Sequence, residues 1–163
     1  MTDMLVRLYD HSLESHPLVI AGLRIQIKRA MAADKSQVCG FVATNFGDTA
    51  AGWVSECEVA LTGLPSSCFI AVHDNTLIGF CCYDATAKGM LGPLGVRNDF
   101  RCKGVAQELL YHTVEGMKAA GYAYAIIGWV HSEAYYQKTC DAITIPSSFP
   151  GIYSRLIEQG GDP

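Results

Sequence analysis

The sequence predicts an α/β protein built on one mixed sheet, and three observations predict it. Residues 68–73 and 76–84 are apolar runs separated by Asp74-Asn75, both tolerant of positive φ, which reads as an antiparallel hairpin. Val105, Leu109, Leu110, Val114 and Met117 repeat at helical spacing. Residues 122–130 are almost wholly apolar, as suits a strand covered on both faces. The strand–helix–strand unit over residues 89–130 should close by a right-handed crossover. Its two strands are therefore expected to be parallel, beside an antiparallel meander.

The elements follow in order. Residues 1–22 admit a short strand or a helix. Residues 23–30 alternate Ile25 and Ile27 with Arg24, Gln26 and Lys28, a strand with one wet face. Asp34 and Gln37 are spaced as a capping box, opening a helix whose apolar face is Val38, Phe41, Val42 and Phe46. A second helix over 51–62 puts Trp53, Cys57, Ala60 and Leu61 on one side and stops at Gly63 and Pro65. The hairpin comes next, then a turn at 85–88, a third strand over 89–96 and a loop over 97–103. Gly121 ends the helix that begins near Val105. After the apolar strand, residues 132–140 read as a short helix and 142–145 as a short strand. The tail holds Pro150-Gly151-Ile152-Tyr153 and one helical turn, with no final strand after Pro146.

At 163 residues the chain suits a single domain, 1–163. Half its residues are hydrophobic and 17% are charged, which excludes a disordered chain. A net charge of -4 and the lack of a dense Lys/Arg run argue against a nucleic-acid partner. Met1-Thr2-Asp3-Met4 is not the start of a secretory signal, and the apolar run over 123–130 is too short to span a bilayer. A soluble, cytoplasmic protein with no membrane partner is expected. The seven cysteines form no C-x-x-C pair and the histidines are scattered, so buried thiols are expected, and no metal. Cys81 and Cys82 are adjacent in a strand and should face opposite sides.

Arg101-Cys102-Lys103-Gly104-Val105-Ala106 sits where a strand has ended and a helix begins. The first turn of a helix offers unpaired N–H groups and about half a unit of positive charge, a ready place for phosphate. Gly104 lets the backbone approach a ligand closely, Ala106 leaves room, and Arg101 and Lys103 add charge. Neither a Walker loop nor a dinucleotide-binding loop is present. The pattern V-x4-R-x-x-G-x-A, formed by Val96, Arg101, Gly104 and Ala106, instead resembles the acyl-CoA loop of the GNAT N-acetyltransferase superfamily. Cys102 stands where that family frequently has Gly. The resemblance extends over about residues 23–145.

The resemblance implies the GNAT fold, with the strands at 89–96 and 122–130 splayed at their ends, and acetyl-CoA as co-substrate without a metal. It implies that pantetheine pairs with the backbone of Leu94 and Val96, flanking Gly95, and that the Val96 N–H polarises the thioester carbonyl. It places the diphosphate on the backbone of Cys102, Lys103, Gly104, Val105 and Ala106. The reaction implied is direct transfer of acetyl to a neutral primary amine. Ala134-Tyr135-Tyr136-Gln137-Lys138 resembles the family's next helix, so Tyr136 matches its general acid and Tyr135 a packing neighbour. A thiol near 8.5 and a tyrosine near 10 differ by about 1.5 pH units, or about 2 kcal/mol, a gap that a site can close. The family's Asn near the start of this helix has no match at 131–133. For the base, Glu56 is the candidate carried forward; Glu58, Asp84, His131 and water stand beside it.

Residues 122–129 and 150–153 further resemble a bacterial GNAT subgroup that includes one domain of glucosamine and glucosaminide N-acetyltransferases. This implies an amino-sugar acceptor, with Trp53, Trp129 and Tyr153 available to stack on a ring. Amino-acid or peptide amines are the other acceptors open, and a non-catalytic acyl-CoA sensor or partner domain is the other class. Many relatives are homodimers; no residue here fixes the oligomeric state.

Overall fold

The computed structural model describes residues 1–157. The chain opens on β1 (Thr2–Arg7), passes through a small hairpin of β2 (Val19–Ile20) and β3 (Leu23–Arg24), and reaches β4 (Gln26–Arg29). Helices α1 (Lys35–Asn45) and α2 (Ala50–Ala60) follow, then the meander β5 (Cys68–His73), β6 (Thr76–Tyr83) and β7 (Met90–Val96). After these come α3 (Val105–Ala119), β8 (Tyr124–Val130), α4 (Glu133–Cys140), β9 (Ile143–Thr144) and a 3-10 turn at Gly151–Arg155. The main sheet runs β4-β5-β6-β7-β8-β1-β9. Within it β7 and β8 are parallel, as the crossover rule requires, and the other neighbours are antiparallel.

Two cores lie on the two faces. Val105, Leu109, Leu110, Val114 and Met117 of α3 are all buried, in one cluster with Cys81, Val96 and Ile127. Each such side chain contributes about 1.5–3 kcal/mol on leaving water. On the other face Val38 and Val42 of α1 and Cys57 and Ala60 of α2 meet Phe80 and Cys82. Cys81 and Cys82 thus separate as the strand's alternation demands. All seven cysteines are free thiols, and Cys102 is the exposed one. Among the described residues no helix is long and apolar enough to cross a membrane.

Three expectations are settled or changed. First, of the two readings open for residues 1–22 the strand holds: β1 lies deep in the sheet between β8 and β9, with Met4, Val6 and the following Leu8 fully buried. Their period of two was present, but Leu5 between them blurs it. Second, the strand over 23–30 is broken at Ile25. Its first two residues fold back on β2 through Ala21 and Gly22, at φ 50° and 78°, and only Gln26–Arg29 joins the main sheet. Third, the Asp34–Gln37 capping box does not form. A 3-10 turn at Ala32–Asp34 precedes α1, so the Asp34 carboxylate turns back to accept the Met31 N–H at 2.9 Å, while Gln37 accepts the Ser36 hydroxyl at 2.9 Å.

Because β1 lies next to β8, residues 8–25 must return across the molecule to β4. They do so along α3. Leu8 and Leu13 are buried; the Ser15 hydroxyl and His16 N–H donate to the buried Glu108 carboxylate at 2.6 and 2.9 Å; Leu18 reaches Gly104. The start of α3 is thereby fixed from outside as well as from the core.

Candidate active site

Pairing between β7 and β8 is confined to one end. Met90 pairs with Ile126 and Leu91 with Ile127, and the Ile126 N–H donates to Gly89 O at 2.9 Å; no further pair is made. Beyond Leu91 the strands part. On its other side β7 stays bound to β6 through Leu94, Gly95 and Val96. The Arg97 N–H donates to Ile78 O on β6 at 2.9 Å. By strand alternation the backbone groups of Gly95 point the same way, and those of Leu94 and Val96 point into the opening. Gly95 directs its vacant Cβ position at Phe46 and Phe80, which lie on the α1–α2 face.

The opening leads to the loop before α3. Asn98–Phe100 form a 3-10 turn anchored by buried Phe100, and Arg97 grips Asp99 with two bonds of 2.7 and 3.0 Å. Cys102 and Gly104 both have positive φ, 59° and 83°. That alternation curls the chain into a concave run of N–H groups. The first bond made by a helical N–H is from Glu108 to Gly104 O, at 3.1 Å. The N–H groups of Cys102, Lys103, Gly104, Val105 and Ala106 have no partner among the described residues. Five such donors at a helix start fit a diphosphate. The basic side chains are engaged differently than expected. The Arg101 Nε–H donates to Val96 O at 3.2 Å, and the Lys103 ammonium donates to Asp99 O at 2.8 Å, 5.2 Å from the centre of the Phe100 ring. Both brace the loop, and the backbone presents the donors.

Tyr136 of α4 packs on the α3-side core, edge-to-face with Tyr135 at 5.0 Å. Burial pushes its phenol well above the ordinary range. Burial also lifts Tyr135 to about 12, and its hydroxyl is enclosed without a hydrogen-bond partner among the described residues. Both phenols feel Cys81, whose thiol burial pushes up to about 12.

Glu56 lies on α2, and so on the opposite face. It is half-buried, accepts the Thr86 hydroxyl, and burial raises its carboxyl above the usual range. The other carboxylates differ. Asp84 at φ 55° accepts Tyr122 Oη at 2.6 Å, Gly89 N at 2.7 Å and Lys88 Nζ at 3.0 Å. Burial works against its charge, but these donors prevail and hold it below the ordinary range. It locks a turn. Glu58 and His131 are exposed. Thr86 and Asp3 carried no signal in the sequence, because each acts only through partners distant along the chain. Of the three aromatics, all partly exposed, Trp53 packs against Phe46 and Phe80 at 5.2 and 6.0 Å, whereas Trp129 and Tyr153 lie against each other at 4.5 Å.

A family model described as the acetyltransferase (GNAT) family matches residues 51–141, more than half of the chain. No curated protein gives a significant match. Among solved structures, a GCN5-related N-acetyltransferase from Sphaerobacter thermophilus superposes with a TM-score of 0.68 at 20% identity, over 88% of this chain and 48% of that one. A GCN5-related glucosamine N-acetyltransferase region of a fungal multi-domain GH3 β-N-acetylglucosaminidase gives 0.66 at 14% identity, over 88% of this chain and 19% of that one. An aminoglycoside N-acetyltransferase in complex with CoA gives 0.55 at 20% identity, over 74% and 87%. The chain thus spans about half of the first structure and a fifth of the second, and at these identities the likeness is one of fold.

Proposed function

The chain belongs to the GNAT acetyltransferase family, and we propose that it transfers the acetyl group of acetyl-CoA directly to a primary amine, with an amino sugar as acceptor. The observation that carries this reading is the free edge of β7, the backbone of Leu94 and the N–H of Val96, running into the unpaired N–H groups of residues 102–106. Acetyl-CoA supplies the acetyl group as an activated thioester. The backbone of Leu94 and Val96 binds the pantetheine arm as an added strand would, and the Val96 N–H, aimed into the opening, polarises the carbonyl. The N–H groups of Cys102, Lys103, Gly104, Val105 and Ala106 hold the diphosphate.

Glu56 takes the proton from the amine, directly or through a water. Its raised pKa brings it nearer to neutrality, where a base is most effective. Tyr136, on the other face, returns a proton to the departing sulfur. The unpartnered hydroxyl of Tyr135 supports that residue as the competing donor. The names of two neighbours, a glucosamine N-acetyltransferase region and an aminoglycoside N-acetyltransferase, agree with an amino-sugar acceptor. The test is to offer acetyl-CoA with glucosamine, amino acids and short peptides and to follow thiol release. Release with glucosamine above the other amines is expected. Tight acetyl-CoA binding with no release for any amine would favour a non-catalytic acyl-CoA-binding domain instead.

A further inference from the structure

The α2 face holds a cluster that the loop and Tyr136 do not touch. β1 and β8 change register between Thr2, paired with Val130, and Met4, paired with Ile127. Asp3 therefore opposes two residues, Gly128 and Trp129, which form a bulge on β8. A bulge re-aims the side chain it carries and is often found beside an active site. Trp129 here adopts φ 48°, a costly conformation for a large aromatic residue.

Several contacts hold it there. Its N–H donates to Asp3 Oδ1 at 3.1 Å, its indole N–H donates to Pro150 O at 3.0 Å, and its ring lies 4.5 Å from that of Tyr153. The Asp3 N–H donates to Ser148 Oγ at 2.8 Å, and the Ile145 N–H donates to Asp3 O at 2.9 Å, so the tail is clamped to β1. The clamp lays Tyr153 on Gly128: a Cβ there would stand 2.7 Å from its hydroxyl and 3.0 Å from Cε2. Gly128 is the first residue of β8 beyond the last pair with β7, so Tyr153 lies at the apex of the opening. Burial raises its phenol, and the charge of Glu56, which accepts the Thr86 hydroxyl, adds to the effect.

The diphosphate donors at the start of α3 bring the coenzyme in from the α3 side. An acceptor is then left the opposite face, and the wall it meets at the apex is aromatic with a carboxylate beside it. We propose that Tyr153 is an acceptor-binding residue: its ring, backed by Trp129 and resting on Gly128, is the floor on which a ring-shaped amine such as a pyranose amino sugar lies, its amine toward Glu56. An aromatic face suits the C–H face of such a ring, and the nearby carboxylate suits the amine. Trp53 is not part of this aromatic pair; it packs, partly buried, against Phe46 and Phe80.

The inference rests on the acetyl-transfer reading, and the experiment separates the two. The full chain and its Tyr153→Ala and Tyr153→Phe variants are assayed for thiol release with glucosamine, and acetyl-CoA binding is measured by calorimetry. Tyr153→Ala should raise the KM for glucosamine about tenfold and leave acetyl-CoA affinity within twofold, whereas Tyr153→Phe, which keeps the ring, should stay within threefold in KM. An unchanged glucosamine KM in Tyr153→Ala overturns the proposal. So does a rise in kcat/KM, which would make the ring a plug. If wild type releases no thiol with glucosamine, Trp129 fluorescence decides in a Trp53→Phe background. Saturable quenching by glucosamine that Tyr153→Ala abolishes supports the proposal, and no quenching refutes it. Failure of wild type to bind acetyl-CoA strikes the acetyl-transfer reading alone, because the fluorescence titration needs no coenzyme.

Discussion

The coenzyme side of the proposed site is made of backbone: the free edge of β7 and the curled N–H groups of residues 102–106. The acceptor side is made of side chains from five separate segments: Asp3 on β1, Glu56 on α2, Thr86 in a turn, Trp129 on the β8 bulge and Tyr153 in the tail. Backbone donors can be dictated by a few residues whose task is to permit a conformation. Side-chain walls need the whole fold in place. The coenzyme side should therefore fail through changes in shape and the acceptor side through changes in chemistry.

The largest effect should come from Gly104→Asp. It puts a side chain at φ 83°, with its Cβ 3.1 Å from Leu18, and a negative charge where the diphosphate would lie. Acetyl-CoA affinity measured by calorimetry should fall at least about a hundredfold. Gly104→Ala, which adds the strain without the charge, should fall less. Equal losses in the two would mean that conformation alone matters at the loop.

Next is Tyr136→Phe, expected to lower kcat by roughly 100-fold with acetyl-CoA affinity kept. If Tyr135→Phe shows that loss instead, the enclosed hydroxyl is the donor. Glu56→Gln should cost about tenfold or more in kcat/KM. In wild type the acidic limb of kcat/KM against pH should lie above the usual carboxylate range, because burial raises Glu56, and the variant should flatten it. The stability sign is opposite. A carboxyl raised in the folded state contributes stability below its unfolded pKa and loses it as pH rises through the folded value. At neutral pH, thermal melting of Glu56→Gln should thus occur at or above the wild-type temperature; a clear fall would mean that the carboxylate is a structural partner of Thr86.

The smallest effect is Cys102→Gly. At φ 59° the side chain costs about 1 kcal/mol, which glycine relieves, so stability to urea should rise slightly and acetyl-CoA affinity should stay within twofold. A large loss of affinity would give the Cys102 side chain a role that backbone geometry does not.

The same contrast explains what could be read in the chain. The α3 face, the Asp74-Asn75 hairpin and the parallel crossover follow from periodicity and turn chemistry, which are local. The strand–loop–helix junction was legible because the strand end at Val96 and the helical period from Val105 bound it in the sequence. β1 was not, because Met4 and Val6 acquire their meaning only against Ile127 and Ala125, more than a hundred residues away. The Asp34 box failed because one extra 3-10 turn moved the carboxylate off the helix start. Trp129 and Tyr153 were visible as aromatics, but the bulge that pairs them requires Asp3 across the sheet.

The place of β1 between β8 and β9 bears on how the molecule comes to exist. As the chain leaves the ribosome, β4 through α3 can assemble by neighbouring contacts, and the loop over residues 97–104 with them. β1 must wait for β8, and Asp3 must wait for Ser148, across 145 positions. Closing so long a loop is slow. The proposed coenzyme side should accordingly form before the proposed acceptor side does, and closure of the sheet by its first strand is the event that completes the proposed site.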